Sequence, residues 1–413
     1  MNRLIFVALL FFAFSSFSQS ILTEKKLNLT FSGFVRNDFI IDSRHNVDGI
    51  EELFTYWPRR PEYDANGKDI YRHGSAKMLN IFTRFGTRFT GLELGTAKVS
   101  AYVEVDFTGS TATNSLRLRH VYSLFDWPKT TLLFGNTWHP TFIEKVFPGV
   151  IAINTGMPFQ VFNRSPQLRL TQHLSTNLDL IAAAVYQSNY VNIGPLGSDF
   201  QFQRDALIPN LHLQLQYYNK KVVMGAAVDW KMIRPRHFTT GSGNKIYKTD
   251  EKLGSMAALA YFKYTQGKFE FKAKSMYGQN VTESLFPGGF AVSKLDATTG
   301  HETYTPSNHI FSFINLTYGE TWKVGLFAGY AKNLGFSDNP LSAIQIYGRG
   351  NDIDALFRIS PQISYKIKNF MLSWEPDHTM AAYGTIESGN KGKISVTNRV
   401  TNFRSLFAVH YYF

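Results

Sequence analysis

The sequence predicts an all-β fold: a transmembrane antiparallel β-barrel of about 16 strands, with short periplasmic turns and long outer loops. Three observations carry this. Segments in which apolar and polar residues alternate with period two recur from one end of the chain to the other, the links between them alternate in length, and the last segment closes on Phe413. The chain has no cysteine, which leaves no disulfide framework, no lipid anchor on a thiol and no thiolate metal site. After the first residues no apolar run reaches the ~18–20 residues of a membrane helix. A mean hydropathy of −0.17 would suit a soluble chain, but a barrel that alternates lipid-facing and water-facing side chains averages to the same value. Aromatic residues make up 15% of the chain, 36 Phe and 21 Tyr among them, as interfacial girdles require.

Residues 1–18 read as a signal peptide: Arg3, the apolar "LIFVALLFFAF", and small residues that allow cleavage near Ser18–Gln19. Residues 19–413 then form one barrel, without a compositional break. The first strand, 28–41, puts Arg36 and Asp38 on one face. Strand 77–90 carries Arg84 and Arg88 and turns at "GLELGT" into 97–108, which carries Glu104 and Asp106. Strand 116–126, with Arg117 and Arg119, turns at "DWPK" into 129–138; strand 166–173, with Arg169, turns at "HLSTN" into 177–188, with Asp179. Strands 210–218 and 221–233 meet at "NKK", 253–265 and 268–279 at "TQGK", 308–318 and 322–332 at "YGET". Strand 356–366, with Arg358 and Lys366, turns at "IKN" into 369–384, and 398–413, with Arg404, ends the chain. Most of the other links are long: 42–76, 139–165, 189–209, 234–252, 280–307, 333–355 and 385–397.

Short links on one rim and long ones on the other describe neighbours paired round a ring, whereas a sandwich needs links that cross between sheets. A ring also leaves no unpaired edge in hydrocarbon. Leu211, Leu213, Leu215, Met224, Val228 and Trp230 therefore face lipid, and His212, Gln214, Gln216, Asp229 and Lys231 face the lumen. The same parity lines the lumen with Arg36, Arg84, Arg88, Arg117, Arg119, Arg169, Arg358, Lys366 and Arg404, against Asp38, Glu104, Asp106, Asp179 and Asp229. Sixteen strands are too wide for side chains to fill, so the expectation is an aqueous channel for small hydrophilic solutes with a preference for anions and no cofactor. The competing reading of the same residues is that they pair across strands and brace the wall.

The link 139–165 holds Phe142, Ile143, Val146, Phe147, Val150, Ile151, Ile153, Phe159, Val161 and Phe162, too many apolar side chains for an exposed loop. It either folds into the barrel as a constriction or lies in a subunit interface; the inward reading makes Glu144, Lys145 and Arg164 candidates for the narrow zone. The net charge of +12 suits a solvated basic surface or acidic partners, and no basic run interleaved with aromatics points to nucleic acid. A barrel hydrolase and a plugged adhesive or structural barrel remain as alternatives. For the hydrolase there is neither G-x-S-x-G nor H-E-x-x-H; "NDID" at 351–354 reads as a turn former before it reads as a calcium loop.

"SGFVRNDFIID" at the first strand, "LRLRHVYSLFDWPKTTLLFGNTWHP" through the fourth and fifth and "RSPQLRLT" at the sixth resemble the DcaP-like trimeric porins of Gram-negative outer membranes. The match covers roughly the first 175 residues; beyond them only the architecture and the terminal Phe agree. The resemblance implies a 16-stranded homotrimer in the outer membrane that passes small, mostly anionic solutes, with Arg117, Arg119 and Arg169 in the pore. Phe403, Phe407, Val409, Tyr411 and Phe413 on one face resemble the C-terminal signal read by the barrel assembly machinery.

Overall fold

The computed structural model describes residues 27–49, 52–109 and 115–413, so the predicted signal peptide lies outside the described residues. Sixteen antiparallel strands close into one ring. They are β1 (Asn28–Asp42), β2 (Ser75–Leu79 continued by Arg84–Leu94), β3 (Ala97–Asp106), β4 (Arg117–Asp126), β5 (Thr130–Trp138), β6 (Arg164–Ser175), β7 (Leu178–Val185) and β8 (Asn210–Tyr218). Then follow β9 (Val222–Ile233), β10 (Leu253–Gln266), β11 (Phe269–Gln279), β12 (Glu302–Gly319), β13 (Trp322–Phe336), β14 (Ile353–Ile367), β15 (Phe370–Glu387) and β16 (Lys393–Tyr412).

The ring closes on β1, which pairs with β2 on one side and with β16 on the other, from Phe34↔Tyr412 to Asp42↔Arg404. Gly33 and Phe413 exchange both backbone hydrogen bonds at 3.2 Å, so the last residue of the chain completes the seam. Only glycine fits there: a Cβ at position 33 would lie 2.2 Å from the Arg84 carbonyl and 2.7 Å from the Phe413 ring.

Side chains sort by parity as a wet-centred barrel requires. Leu211, Leu213, Leu215, Val228 and Phe407 are exposed on the outer surface, while His212, Gln214, Gln216, Asp229 and Arg404 are buried inside. At the turn rim Phe31, Tyr318, Trp322, Phe370, Tyr411 and Phe413 point outward as an aromatic girdle.

Three elements depart from the sequence reading. The strand expected at 77–90 is interrupted at Asn80–Thr83, which turns Ile81 and Phe82 into the lumen, and it then runs on to Leu94 before a tight turn at Gly95 (φ 59°). The strands expected from 308 and 398 start earlier, at Glu302 and Lys393, because β12 to β16 rise beyond the apolar band. On β16 residues 393–399 are exposed or half-buried on both faces, and on β12 Tyr304–Ser307 are buried on both, Tyr304 against Phe290 and Val292, so the alternation that marks a strand fades while the backbone ladder continues, as at Glu387↔Lys393. The outer links also carry structure: Asn46–Gly49 pairs with Phe54–Pro58 and Phe238–Thr240 with Ile246–Lys248.

A closed ladder resists detergent because opening it exposes unpaired backbone groups in an apolar medium. Unheated protein should run on SDS gels at a different mobility from boiled protein, and deletion of Phe413 should reduce the heat-modifiable fraction in outer-membrane extracts. Wild-type yield from the deletion would show that the seam closes without its last residue.

Candidate pore constriction

The third outer loop leaves β5 at Trp138 and does not return to the wall until Arg164. Its apolar side chains are placed inside the barrel. Ile143, Val146, Phe159 and Val161 pack with Leu259 and Tyr261 of β10, Met276 of β11, Phe311 and Phe313 of β12 and Phe327 of β13. Ile153, Met157 and Phe162 pack with Ile40, Ile81, Phe82 and Leu406. The sequence supplies both partners, since β10 to β13 carry large apolar residues at inward positions where β8 and β9 carry His, Gln, Asp and Lys.

The wall holds this loop mainly by its backbone. Glu375 of β15, buried and inward, accepts from the N–H groups of Ile151 (2.5 Å) and Ala152 (3.1 Å). Arg36 donates to the Ile151 carbonyl at 2.9 Å and Arg358 to the Met157 carbonyl at 2.9 Å. Asn315 accepts from Gly149 N–H at 2.9 Å, Gln362 donates to the Gly149 carbonyl, and Lys274 donates to the Thr141 carbonyl and to Gln160. The hairpin 46–58 lies over it: Arg358 donates to the Tyr56 carbonyl, Asn154 to that of Thr55, and Arg404 to that of Glu52.

The candidate cations fall into separate groups. Arg119, 1% exposed, gives Nε to Glu104 at 2.7 Å and Nη1 to Asp106 at 2.6 Å; Arg117 reaches Asp106 at 3.1 Å, and Arg84 lies 3.7 Å from Glu104. Arg164 is the first residue of β6 rather than part of the loop. Its guanidinium lies 4.7 Å over Trp138 and 5.1 Å over Phe162 and donates to the Tyr190 hydroxyl at 2.7 Å. Arg36, Arg84 and Arg119 all approach the Phe82 ring within 5.4 Å. Arg84, Arg117, Arg119 and Arg164 thus form one cluster around Glu104 and Asp106.

In that cluster three buried donors have no hydrogen-bond partner among the described residues: Nε of Arg84, Nε of Arg117 and Nη1 of Arg164. They border two cavities. One of about 190 Å3 lies among outer-loop residues and is lined by Arg117, Arg164, Phe54, Tyr56, Phe162 and Tyr190. The other, about 360 Å3, lies lower on the wall and is lined by Arg84, Tyr102, Glu104, Tyr122, Trp138 and Phe142.

The remaining candidates lie elsewhere. Arg36 pairs with Asp38 at 2.7 Å and Arg404 with Asp42 at 2.7 Å. Arg358 donates to Thr379 at 2.7 Å in addition to the loop carbonyls. Arg169, expected beside Arg117 and Arg119, instead donates to Gln167 and to the Trp138 carbonyl, and shares a cavity of about 270 Å3 with Glu144, Lys145, His173 and Asp179. Register separates the two groups: Arg169 pairs with Leu133 and Leu133 with Leu124, seven and five residues along β4 from Arg117 and Arg119, so Arg164, paired with Trp138, takes the place foreseen for Arg169. Glu144 and Lys145 are exposed, Lys145 with its ammonium 4.1 Å over the Tyr218 ring. Arg88, 4.8 Å over Tyr102, and Lys366 are exposed toward the turn rim. Asp179 pairs with His173 at 2.7 Å and Asp229 with His212 at 3.3 Å. In "NDID", Asp352 pairs with Arg60 at 2.8 Å and Asp354 with Lys332 at 2.6 Å, and the described residues contain no group of three metal-ligating side chains.

Sequence reasoning missed Glu375, Lys274 and Phe82. Glu375 and Lys274 carried a signal, since each is a charge at an inward position of its strand. Phe82 carried none, because the interruption of β2 cancels the parity that would place it.

A 16-stranded ring with short turns on one rim, a third outer loop folded inside and an aromatic girdle is the architecture of an outer-membrane channel of Gram-negative bacteria. Solved structures share it. The outer membrane channel DcaP of Acinetobacter baumannii is similar with TM-score 0.67 and 17% identity, covering 95% of this chain and 99% of that one. An anion-selective porin from Comamonas acidovorans is similar with TM-score 0.54 and 11% identity over 94% of this chain and 100% of that one. A trimer form of the Vibrio cholerae outer membrane protein OmpT gives TM-score 0.53 and 11% identity over 94% and 99%. No protein-family model matches the sequence. No curated protein sequence matches it either.

Glu375 makes two hydrogen bonds to residues 151–152 where Arg36 makes one, so it is the strongest hydrogen-bonding restraint on that stretch. Glu375→Ala should raise open-channel current noise in planar bilayers and lower the urea concentration that unfolds the protein, while Glu375→Gln keeps one acceptor and falls between. Wild-type noise from both variants would mean that side-chain packing alone fixes the loop.

Proposed function

We propose that the protein is a porin, a passive diffusion channel for small hydrophilic solutes that prefers anions. The observation that carries this reading is the group of donors on Arg84, Arg117 and Arg164 that have no partner among the described residues and belong to side chains lining two cavities beside the third outer loop. Four guanidinium groups surround two carboxylates there, and Arg119 alone engages both. Guanidinium stays charged at any working pH and offers a planar fork to carboxylate or phosphate. An excess of fixed positive charge in a narrow passage with low-dielectric walls raises the local concentration of anions. Arg119 braces β3 against β4, and Arg36, Arg358 and Arg404 hold the loops, so the bracing role and the selective role fall to different arginines. The tight packing of the first and third outer loops inside the ring supports a narrow passage rather than a wide one.

Three further parts belong to the same reading: an N-terminal leader for export, insertion by the barrel assembly machinery through the C-terminal strand, and a homotrimer. The sequence resemblance and the trimer form of a similar barrel support the last.

Replacing Arg84, Arg117 and Arg164 together by Gln leaves Arg119 against Glu104 and Asp106 and turns the local excess negative. In a KCl gradient across a planar bilayer the reversal potential should move from anion preference through zero to cation preference. The shift should be larger at 0.1 M than at 1 M salt, since the screening length falls from about 10 Å to about 3 Å. Unchanged selectivity in a folded, conducting variant would overturn the assignment, and a wild-type protein without conductance would favour a plugged barrel.

A further inference from the structure

The outer surface of the barrel carries a cationic cleft away from the passage. We propose that the rim between β16 and the first outer loop binds the phosphate group of an acylated lipid of the outer leaflet, through Arg72 and Arg399. The cleft measures about 410 Å3, and its lining includes Arg44, Tyr63, Asp69, Arg72, Arg399 and Thr401. On β16, Val400, Asn402 and Arg404 are buried on the inner side, which turns Arg399, Thr401 and Phe403 outward.

Asp69 is the carboxylate of the cleft, and it is already engaged by Arg44 at 2.6 Å. Each nitrogen of Arg44 is itself engaged, because Nε and Nη2 also donate to the Arg59 carbonyl at 3.0 and 2.9 Å. Arg72 and Arg399 are exposed, and neither lies within ion-pair distance of a carboxylate among the described residues. Two free guanidinium groups beside a neutralised acid make a site for a dianionic phosphate, which guanidinium binds in a fork.

Height on the barrel selects a lipid as the carrier of that phosphate. Phe413 stands at the turn rim and Phe403 is ten residues further along β16. At about 3.4 Å per residue and a tilt of about 40°, those ten residues climb about 25 Å, the height of the apolar band of an outer-membrane barrel. Phe403, Ile41 and Met78 are exposed at that upper limit, and Arg399 lies just above them. Tyr63, 63% exposed, adds a ring with a polar tip at the same boundary. An acyl chain can lie on Phe403 and Ile41 while its phosphate reaches the cleft.

The test uses the full-length protein in a neutral maltoside detergent, titrated with diphosphoryl lipid A and read by native mass spectrometry. Wild type should retain lipid A. The double variant Arg72→Ser, Arg399→Ser should retain it about thirtyfold less, the scale of two cationic contacts at an anionic lipid surface, with heat-modifiability and conductance unchanged. Dephosphorylated lipid A should show the same loss on wild type. Equal retention by wild type and variant, or equal retention of the dephosphorylated lipid, would overturn the proposal. So would displacement of lipid A by millimolar inorganic phosphate, which marks a site for the free ion. Failure of wild type to retain lipid A at all, as when a second copy covers this rim, would overturn it too.

Discussion

Every feature of this molecule depends on one constraint: a backbone in hydrocarbon must find all its hydrogen-bond partners within the protein. A sheet meets that demand only by closing, and closure fixes the rest. It requires that β1 accept two neighbours and that the final residue bond to Gly33. With the ladder closed, each strand has one face in lipid and one in the lumen, so a single alternating pattern solves two solvation problems at once. Leu211 and His212 are adjacent in sequence and inhabit opposite media.

The lumen then poses a second problem. A ring of this size leaves more space than wall side chains can fill, and charged side chains around an open bore give little discrimination. The third outer loop narrows the bore by bringing an apolar surface inside and placing it against the part of the wall that is itself apolar. The opposite part of the wall, β2 to β4, stays charged. The lumen therefore has one face of packed aromatic and aliphatic residues and one of arginine, and Arg164 over the Trp138 and Phe162 rings joins them. The interruption of β2 contributes to this, since Phe82 gives three guanidinium groups a common surface on which to rest.

Much of this was legible in the sequence, and the limits have physical causes. Strand order, inner and outer faces and the buried character of loop 139–165 followed from period-two alternation and from link lengths, because lipid enforces alternation strictly. Strand ends above the membrane were illegible because both faces there share one environment, water on β16 and packed loop on β12, and neither enforces alternation. The site was half legible. Parity placed Arg84, Arg117 and Arg119 on the lumen, but which arginines brace and which stay free depends on distances to Glu104 and Asp106 that no pattern encodes. Arg169 was misplaced beside Arg117 because face parity does not give height: through Leu133 the register sets Arg169 level with Leu124, seven residues along β4 from Arg117.

The grip of the wall on the third outer loop has a consequence for change in this chain. Arg36, Arg358, Gln362, Lys274 and Glu375 take hold of backbone carbonyls and N–H groups, and every residue type except proline offers both. The path of the loop is thus written in the barrel, while the side chains it displays to the passage are written in the loop. Ile153 and Met157 are held by packing and Gly156 by its positive φ, so the half-buried stretch Val150–Ala152 is in effect the interchangeable insert in a fixed frame: its chemistry can be rewritten, in a genome or on the bench, without moving it.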